Sequence, residues 1–330
     1  MCTAITLQTL QGETFLGRTM DFSYEIQPHV YIVPNNYMWT NPLNNQTMRD
    51  TYRFIAMGQQ LDGQLGFFDG VNEQGFAAAA LYFAGYAQYD RRPAFPGAEQ
   101  IASYDFLHYI LGKCATMEDL RKLLDRTYII GMADPVTQTV APLHWIVMDK
   151  SKRCMVVEQT ERGLELFYNT IGVMANSPGF QWQLTNLRNY METSPTQTAE
   201  SYWGTTLLTP FGQAGGTAPL PGGFTSPDRF VRTAYLKTHI PTPKDSAEGI
   251  VSCFRIMESV SIPKGAVTTV SNTYDYTKYT AFINTDKQQY FFRPYEDLQT
   301  YTTSLSLDTG ASEQLTDLGS IQNPANFVKI

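Results

Sequence analysis

Apolar residues in this chain recur in blocks of two kinds, and the order of the blocks is the main constraint on the fold. Period-two and β-branched runs read as strands at 3–10, 14–19 and 29–34. Two more fill 66–85, broken by a turn at Asn72–Gly75 and ending near Tyr82. Helical patterns follow. Residues 103–113 carry apolar positions at 106, 107, 110 and 111, and Thr116–Asp119 reads as a helix N-terminus before apolar 120, 123 and 124. Strands return at 143–149, 154–159 and 164–168. A helix opening at Ser226-Pro227, with Ser226 as cap, and another at 247–260 precede strands at 266–271, 279–285 and 289–293. Segregated runs predict an α+β layered fold rather than alternating βαβ units. No internal repeat or linker divides the chain, so residues 1–330 are expected to form one domain. The stretch 193–226, rich in Thr, Gly, Pro and Ser, is expected to be an extended loop or assembly arm. The tail from about 310 is polar and weakly patterned.

Composition narrows the function. A net charge of −7 argues against a nucleic-acid partner. With no apolar run of membrane-spanning length, no membrane partner is expected. Without the pattern of a secretory signal, a cytoplasmic protein is expected. Cys2, Cys114, Cys154 and Cys253 are far apart and form no CxxC, and the four histidines lack metal spacing. Neither a metal nor an organic cofactor is expected.

Cys2 is the distinctive chemical position. Removal of Met1 would leave a thiol and a free α-amine on one residue. An amine with a pKa of about 7.7–8.0 can take the proton that a thiol near 8.5 gives up. A turn at Gln11-Gly12 would fold strand 14–19 back on strand 3–10, with partners summing to about 23. Cys2 then faces the neighbourhood of Asp21, and Arg18 and Asp21 stand beside the N-terminus.

Several motifs together resemble one family. They are MCT at 1–3, GRTMDF at 17–22, DGVNEQG at 69–75, NSPGFQWQLTNLRNY at 176–190, LPGGFTSPDRFVR at 220–232 and IPKG at 262–265. In this order they are similar to the choloylglycine hydrolase family, whose members are bile salt hydrolases and penicillin V acylases. The resemblance implies an N-terminal-nucleophile hydrolase with a four-layer αββα sandwich, a mature enzyme beginning at Cys2, and often a homotetramer joined through the 193–226 arm. It implies Cys2 as nucleophile, with Arg18 and Asp21 as the charged pair beside it. It implies Asn176 as an oxyanion donor through its side-chain amide, Tyr82 as a donor through its backbone N–H, and Arg229 as a second arginine. On residue type alone other readings stand. Arg18 and Asp21 also suit an ordinary ion pair, Asn176 a turn before Ser-Pro, Arg229 a solvated helix, and Tyr82 an aromatic strand end. Met20, Phe22, Tyr24, Leu65, Phe67 and Phe68 fall where the family's pocket loops lie, and each equally suits a core.

Position 82 is asparagine in typical bile salt hydrolases and often tyrosine in penicillin V acylases. Tyr82 therefore directs the leading expectation to penicillin V, cleaved through a thioester acyl-enzyme. Conjugated bile salts are the first alternative and N-acyl homoserine lactones a further one. A catalytically silent binding protein on the same fold is the alternative from another class.

Overall fold

The computed structural model describes residues 1–61, 63–92, 97–307, 314–325 and 327. Fourteen strands build its two large sheets. In chain order, β1 is Cys2–Gln8, β2 Thr14–Phe22, β3 His29–Val33, β4 Phe54–Leu61, β5 Gln64–Asn72 and β6 Ala77–Tyr82. Next come β7 Leu143–Met148, β8 Cys154–Thr160, β9 Gly163–Tyr168 and β10 Val173–Met174. The last four are β11 Tyr276–Asn284, β12 Gln289–Pro294, β13 Tyr301–Ser304 and β14 Thr316–Ser320. One sheet runs β10-β1-β2-β11-β12-β13, the other β9-β8-β7-β6-β5-β4-β3-β14. Five helices flank them: α1 Phe106–Lys113, α2 Met117–Leu124, α3 Phe180–Asn186, α4 Ser226–His239 and α5 Ser246–Glu258.

The two sheets stack face to face. Helices α4 and α5 cover the first sheet and α1 lies on the second. The result is the four-layer αββα sandwich that the resemblance implies. Phe15, Phe230, Phe254 and Phe282 fill the layer between α4–α5 and the first sheet. Phe106, Tyr109, Ile110 and Trp145 fill the layer between the second sheet and its helices. Each such side chain contributes roughly 1.5–3 kcal/mol on full burial. Local signals set the helix ends. In α2 the Thr116 hydroxyl accepts from the Asp119 N–H while the Asp119 carboxylate accepts from the Thr116 N–H, closing a capping box.

Several expectations need correction. The β1–β2 register is one residue from that predicted: Cys2 pairs with Met20 and Gln8 with Thr14. The connection is a five-residue loop in which the Thr9 N–H bonds to the Glu13 carbonyl and Gly12 takes φ +90°. The cap of α4 is Thr225, whose side chain accepts from the Asp228 N–H, and Ser226 is the first helical residue. Residues 266–271 form no strand. They make a loop closed by a Thr268–Tyr274 bridge, with Val270 fully exposed and therefore without a sheet to cover. The 193–226 stretch contains a small hairpin, Ser201–Trp203 against Thr206–Leu208. Of the tail, residues 310–313 lie outside the described residues, but β14 pairs with β3 as an edge strand.

Candidate active site

Residues opposite one another in an antiparallel pair share a face of the sheet. Cys2 is opposite Met20, and Ala4 is opposite Arg18, so Arg18 and Met20 share the face of the Cys2 sulfur. Thr3 is opposite Thr19, and Asp21 follows on that second face. Arg18 and Asp21 therefore do not form the ion pair their spacing suggests. They serve opposite sides of the same strand.

On the inner side, Arg18 Nη2 lies 2.7 Å from Cys2 Sγ and 3.0 Å from Met20 Sδ. Its Nη1 donates to the Phe68 and Ala80 carbonyls at 3.2 and 2.9 Å. The guanidinium is thus fixed by the second sheet. Burial works against its charge, but the surrounding Cys2, Tyr279, Asp69 and Asp21 outweigh that and raise its pKa above the ordinary value.

On the outer side, Asp21 is wholly buried and accepts from the Thr277 and Thr19 hydroxyls at 2.6 and 3.0 Å. Burial pushes its pKa up, opposed by Arg229, the N-terminal ammonium and the two hydroxyls. Arg229 extends from α4 across this side. It donates to the Cys2 carbonyl and the Thr3 hydroxyl, both at 2.5 Å, and to Asn176 Oδ1 at 2.7 Å. Its pKa is lowered by burial, with Asp21 and Cys2 opposing.

Asn176 joins the two sides. Its Oδ1 accepts from the Cys2 backbone nitrogen at 2.7 Å and from Arg229, while Nδ2 donates to the Tyr82 carbonyl at 2.7 Å. That pattern fixes which end of the amide is oxygen. Just past β6 the Phe83 N–H bonds to the Pro142 carbonyl, so the Tyr82 carbonyl turns the other way, toward Asn176. Met1 precedes Cys2, and its ammonium donates to the Asp21 carbonyl at 2.7 Å and pairs with Asp275 at 3.1 Å.

The sulfur opens into an apolar pocket of about 830 Å³, mouth included. Met20, Phe22, Leu65, Phe67, Phe68 and Tyr82 line it, and Met20, Phe22 and Phe67 are also buried in the core. Tyr24 does not: it is 43% exposed and packs outside, its ring 5.1 Å from that of Phe22. Tyr82 is half-buried, its ring 5.5 Å from Phe22, and burial followed by nearby Asp134 raises its pKa. The far wall, Asp134–Thr137 with Ala141 and Leu143, had no signal in the sequence. Thr277 and Asp275 were also missed. Thr19 could have been found, since it alternates with Asp21 on one strand face.

The other thiols, Cys114, Cys154 and Cys253, are buried and free, and burial raises all three pKa values, that of Cys154 to about 12. Among the described residues no cluster suits a metal ion, and no helix is long and apolar enough to cross a membrane.

The linear amide C-N hydrolases, choloylglycine hydrolase family, match residues 2–316. The chain is 33% identical over 302 residues to a bile salt hydrolase/transferase of Clostridium perfringens, covering 91% of each. Its fold matches a C2A variant of conjugated bile acid hydrolase from the same species at TM-score 0.92 and 28% identity, covering 100% of both chains. To a penicillin V acylase of Pectobacterium atrosepticum it is 25% identical over 297 residues, covering 84% of this chain and 73% of the other. This order of similarity runs against the penicillin V expectation drawn from Tyr82.

Proposed function

This chain belongs to the choloylglycine hydrolase family of linear amide C–N hydrolases, and from that premise we propose that it cleaves the amide of conjugated bile salts with Cys2 as nucleophile. The observation that carries the reading is the Cys2 sulfur at the floor of an apolar pocket, 2.7 Å from the Arg18 guanidinium. Arginine at that distance stabilises negative charge on sulfur. Once Met1 is removed, the Cys2 nitrogen is an α-amine within 2.7 Å of Asn176 Oδ1, which orients it.

The thiol proton passes to this amine as sulfur attacks the substrate carbonyl. The resulting oxyanion is assigned to the second Asn176 Nδ2–H and the Tyr82 N–H, the donors that the family resemblance implies. Collapse breaks the C–N bond, and the protonated amine supplies the proton to the departing nitrogen. Water, giving a proton back to the same amine, then attacks the thioester and releases the acid and the thiol. Arg229 holds the Cys2 carbonyl, and Asp21, bonded to Thr19 and Thr277, stands 3.9 Å from Arg229.

The apolar lining of the pocket supports an apolar acyl group, and a steroid acid is of that class. The higher similarity to bile salt hydrolases supports the same choice. Penicillin V is the second reading, favoured by the aromatic wall of Tyr82 and Phe22. The test is kcat/KM for glycocholate, taurocholate and penicillin V on protein shown by mass to begin at Cys2. A bile salt is expected to be the best substrate. Better turnover of penicillin V would reject bile salts as the substrate and leave the amidase mechanism intact. We also propose that the exposed Ser201–Leu208 hairpin joins copies of the chain, since Tyr202 and Trp203 stand 67% and 77% exposed on it.

A further inference from the structure

Asp69 takes no part in the chemistry above, yet it is buried between the two sheets beside the arginine that contacts the sulfur. Its Oδ2 accepts from the Tyr279 hydroxyl at 2.7 Å and its Oδ1 from the Tyr290 hydroxyl at 2.9 Å. Both tyrosines belong to the opposite sheet. The Tyr290 oxygen in turn accepts from the Met57 N–H at 3.3 Å, which ties the clamp back to β4. Arg18 Nη1 lies 3.7 Å from Asp69 Oδ2, with both side chains almost wholly enclosed.

A second observation concerns the next residue. Along β4 and β5 the pairing steps from Met57–Asp69 to Gly58–Phe67, leaving Phe68 as the extra residue of a bulge. Such a bulge re-aims backbone groups. Here the Phe68 carbonyl accepts from Arg18 Nη1. Gly58 permits the distortion: a Cβ there would stand 2.5 Å from the Gly66 carbonyl oxygen and 2.7 Å from the Phe67 ring.

We propose that Asp69, clamped by Tyr279 and Tyr290, is a positioning residue that fixes the Phe68 bulge and so holds the Arg18 guanidinium against the Cys2 sulfur. The inference rests on the reading of Cys2 as nucleophile. It has a rival of opposite sign. If Asp69 acted only as a charge, it would draw on Arg18, and its neutralisation would make the sulfur more reactive. If it positions Arg18, neutralisation makes the sulfur less reactive.

The experiment compares wild type with full-length Asp69→Asn and Tyr279→Phe. Alkylation of Cys2 by iodoacetamide is followed by peptide mass from about pH 5 to 9, alongside kcat and KM for glycocholate. The buried Cys114, Cys154 and Cys253 report separately in the same spectra. For Asp69→Asn, alkylation near neutral pH is expected to slow about tenfold. kcat should fall by a similar factor with KM nearly constant, and Tyr279→Phe should show the same changes at several-fold. Alkylation of Asp69→Asn that is unchanged or faster overturns the proposal. Should Asp69→Asn fail to fold, Tyr279→Phe decides alone, and unchanged alkylation in it overturns the proposal. A wild type that leaves glycocholate intact would remove the proposed substrate, while alkylation would still decide the role of Asp69.

Discussion

The side-chain oxygen of Asn176 receives two donors at 2.7 Å, the Cys2 nitrogen and Arg229 Nη2. Its nitrogen is thereby turned toward Tyr82. One residue thus sets both the position of the Cys2 nitrogen and the direction of its own amide donor.

Asn176→Ala removes that donor, and kcat is expected to fall roughly 10²–10³-fold, about 2.7–4 kcal/mol. Steady-state kinetics on a bile salt checks this. A rise in KM at constant kcat would mean that Asn176 binds the ground state or only shapes the turn.

Cys2→Ser keeps the nitrogen and its bond to Asn176 but replaces sulfur with a hydroxyl, a far weaker nucleophile near neutral pH. Hydrolysis should be nearly abolished in protein verified by intact mass. Near-normal turnover would reject sulfur as the attacking atom.

Asp105 gives a pH-dependent stability. Burial raises its pKa from 3.8 to about 7, with His108 opposing. The folded state therefore keeps a proton that the unfolded state loses. Below about pH 4 the carboxyl is neutral in both states and costs nothing. From there to about pH 7 stability falls as pH rises, by an amount on the order of 4 kcal/mol in total, and the loss is complete above pH 7. Asp105→Asn should melt higher than wild type at about pH 8 and converge with it near pH 4. Calorimetry across that range checks it. A difference independent of pH would show that ionisation of Asp105 is not its source.

Tyr202→Ser with Trp203→Ser should reduce the assembly proposed for the Ser201–Leu208 hairpin. Both side chains are exposed, at 67% and 77%. Sedimentation velocity should give a smaller species for the double variant than for wild type. Equal sedimentation would exclude the hairpin from the interface.

Local geometry made much of the site legible in the sequence. A hairpin necessarily brings the end of β2 beside Cys2, although the five-residue loop shifted the register. Helices with an apolar stripe were legible too. Short α3 was not, because it buries only Phe180 and Gln183 and its cap, Gly179, has no side chain to signal it. At 266–271 the β-branched residues suggested a strand that no neighbour pairs with along its length. The link from Asp69 to Arg18 was hidden for another reason. It depends on how two sheets stack, which no residue spacing encodes.

Arg229 reaches the Cys2 carbonyl across 227 positions of sequence. A chain that stops short of α4 cannot close that contact, so the geometry around Cys2 waits on residues two-thirds of the way along the sequence. Loops of such span close slowly relative to local hairpins and helices. On refolding from denaturant, secondary structure should return first, and a functional thiol only when α4 has docked on the first sheet.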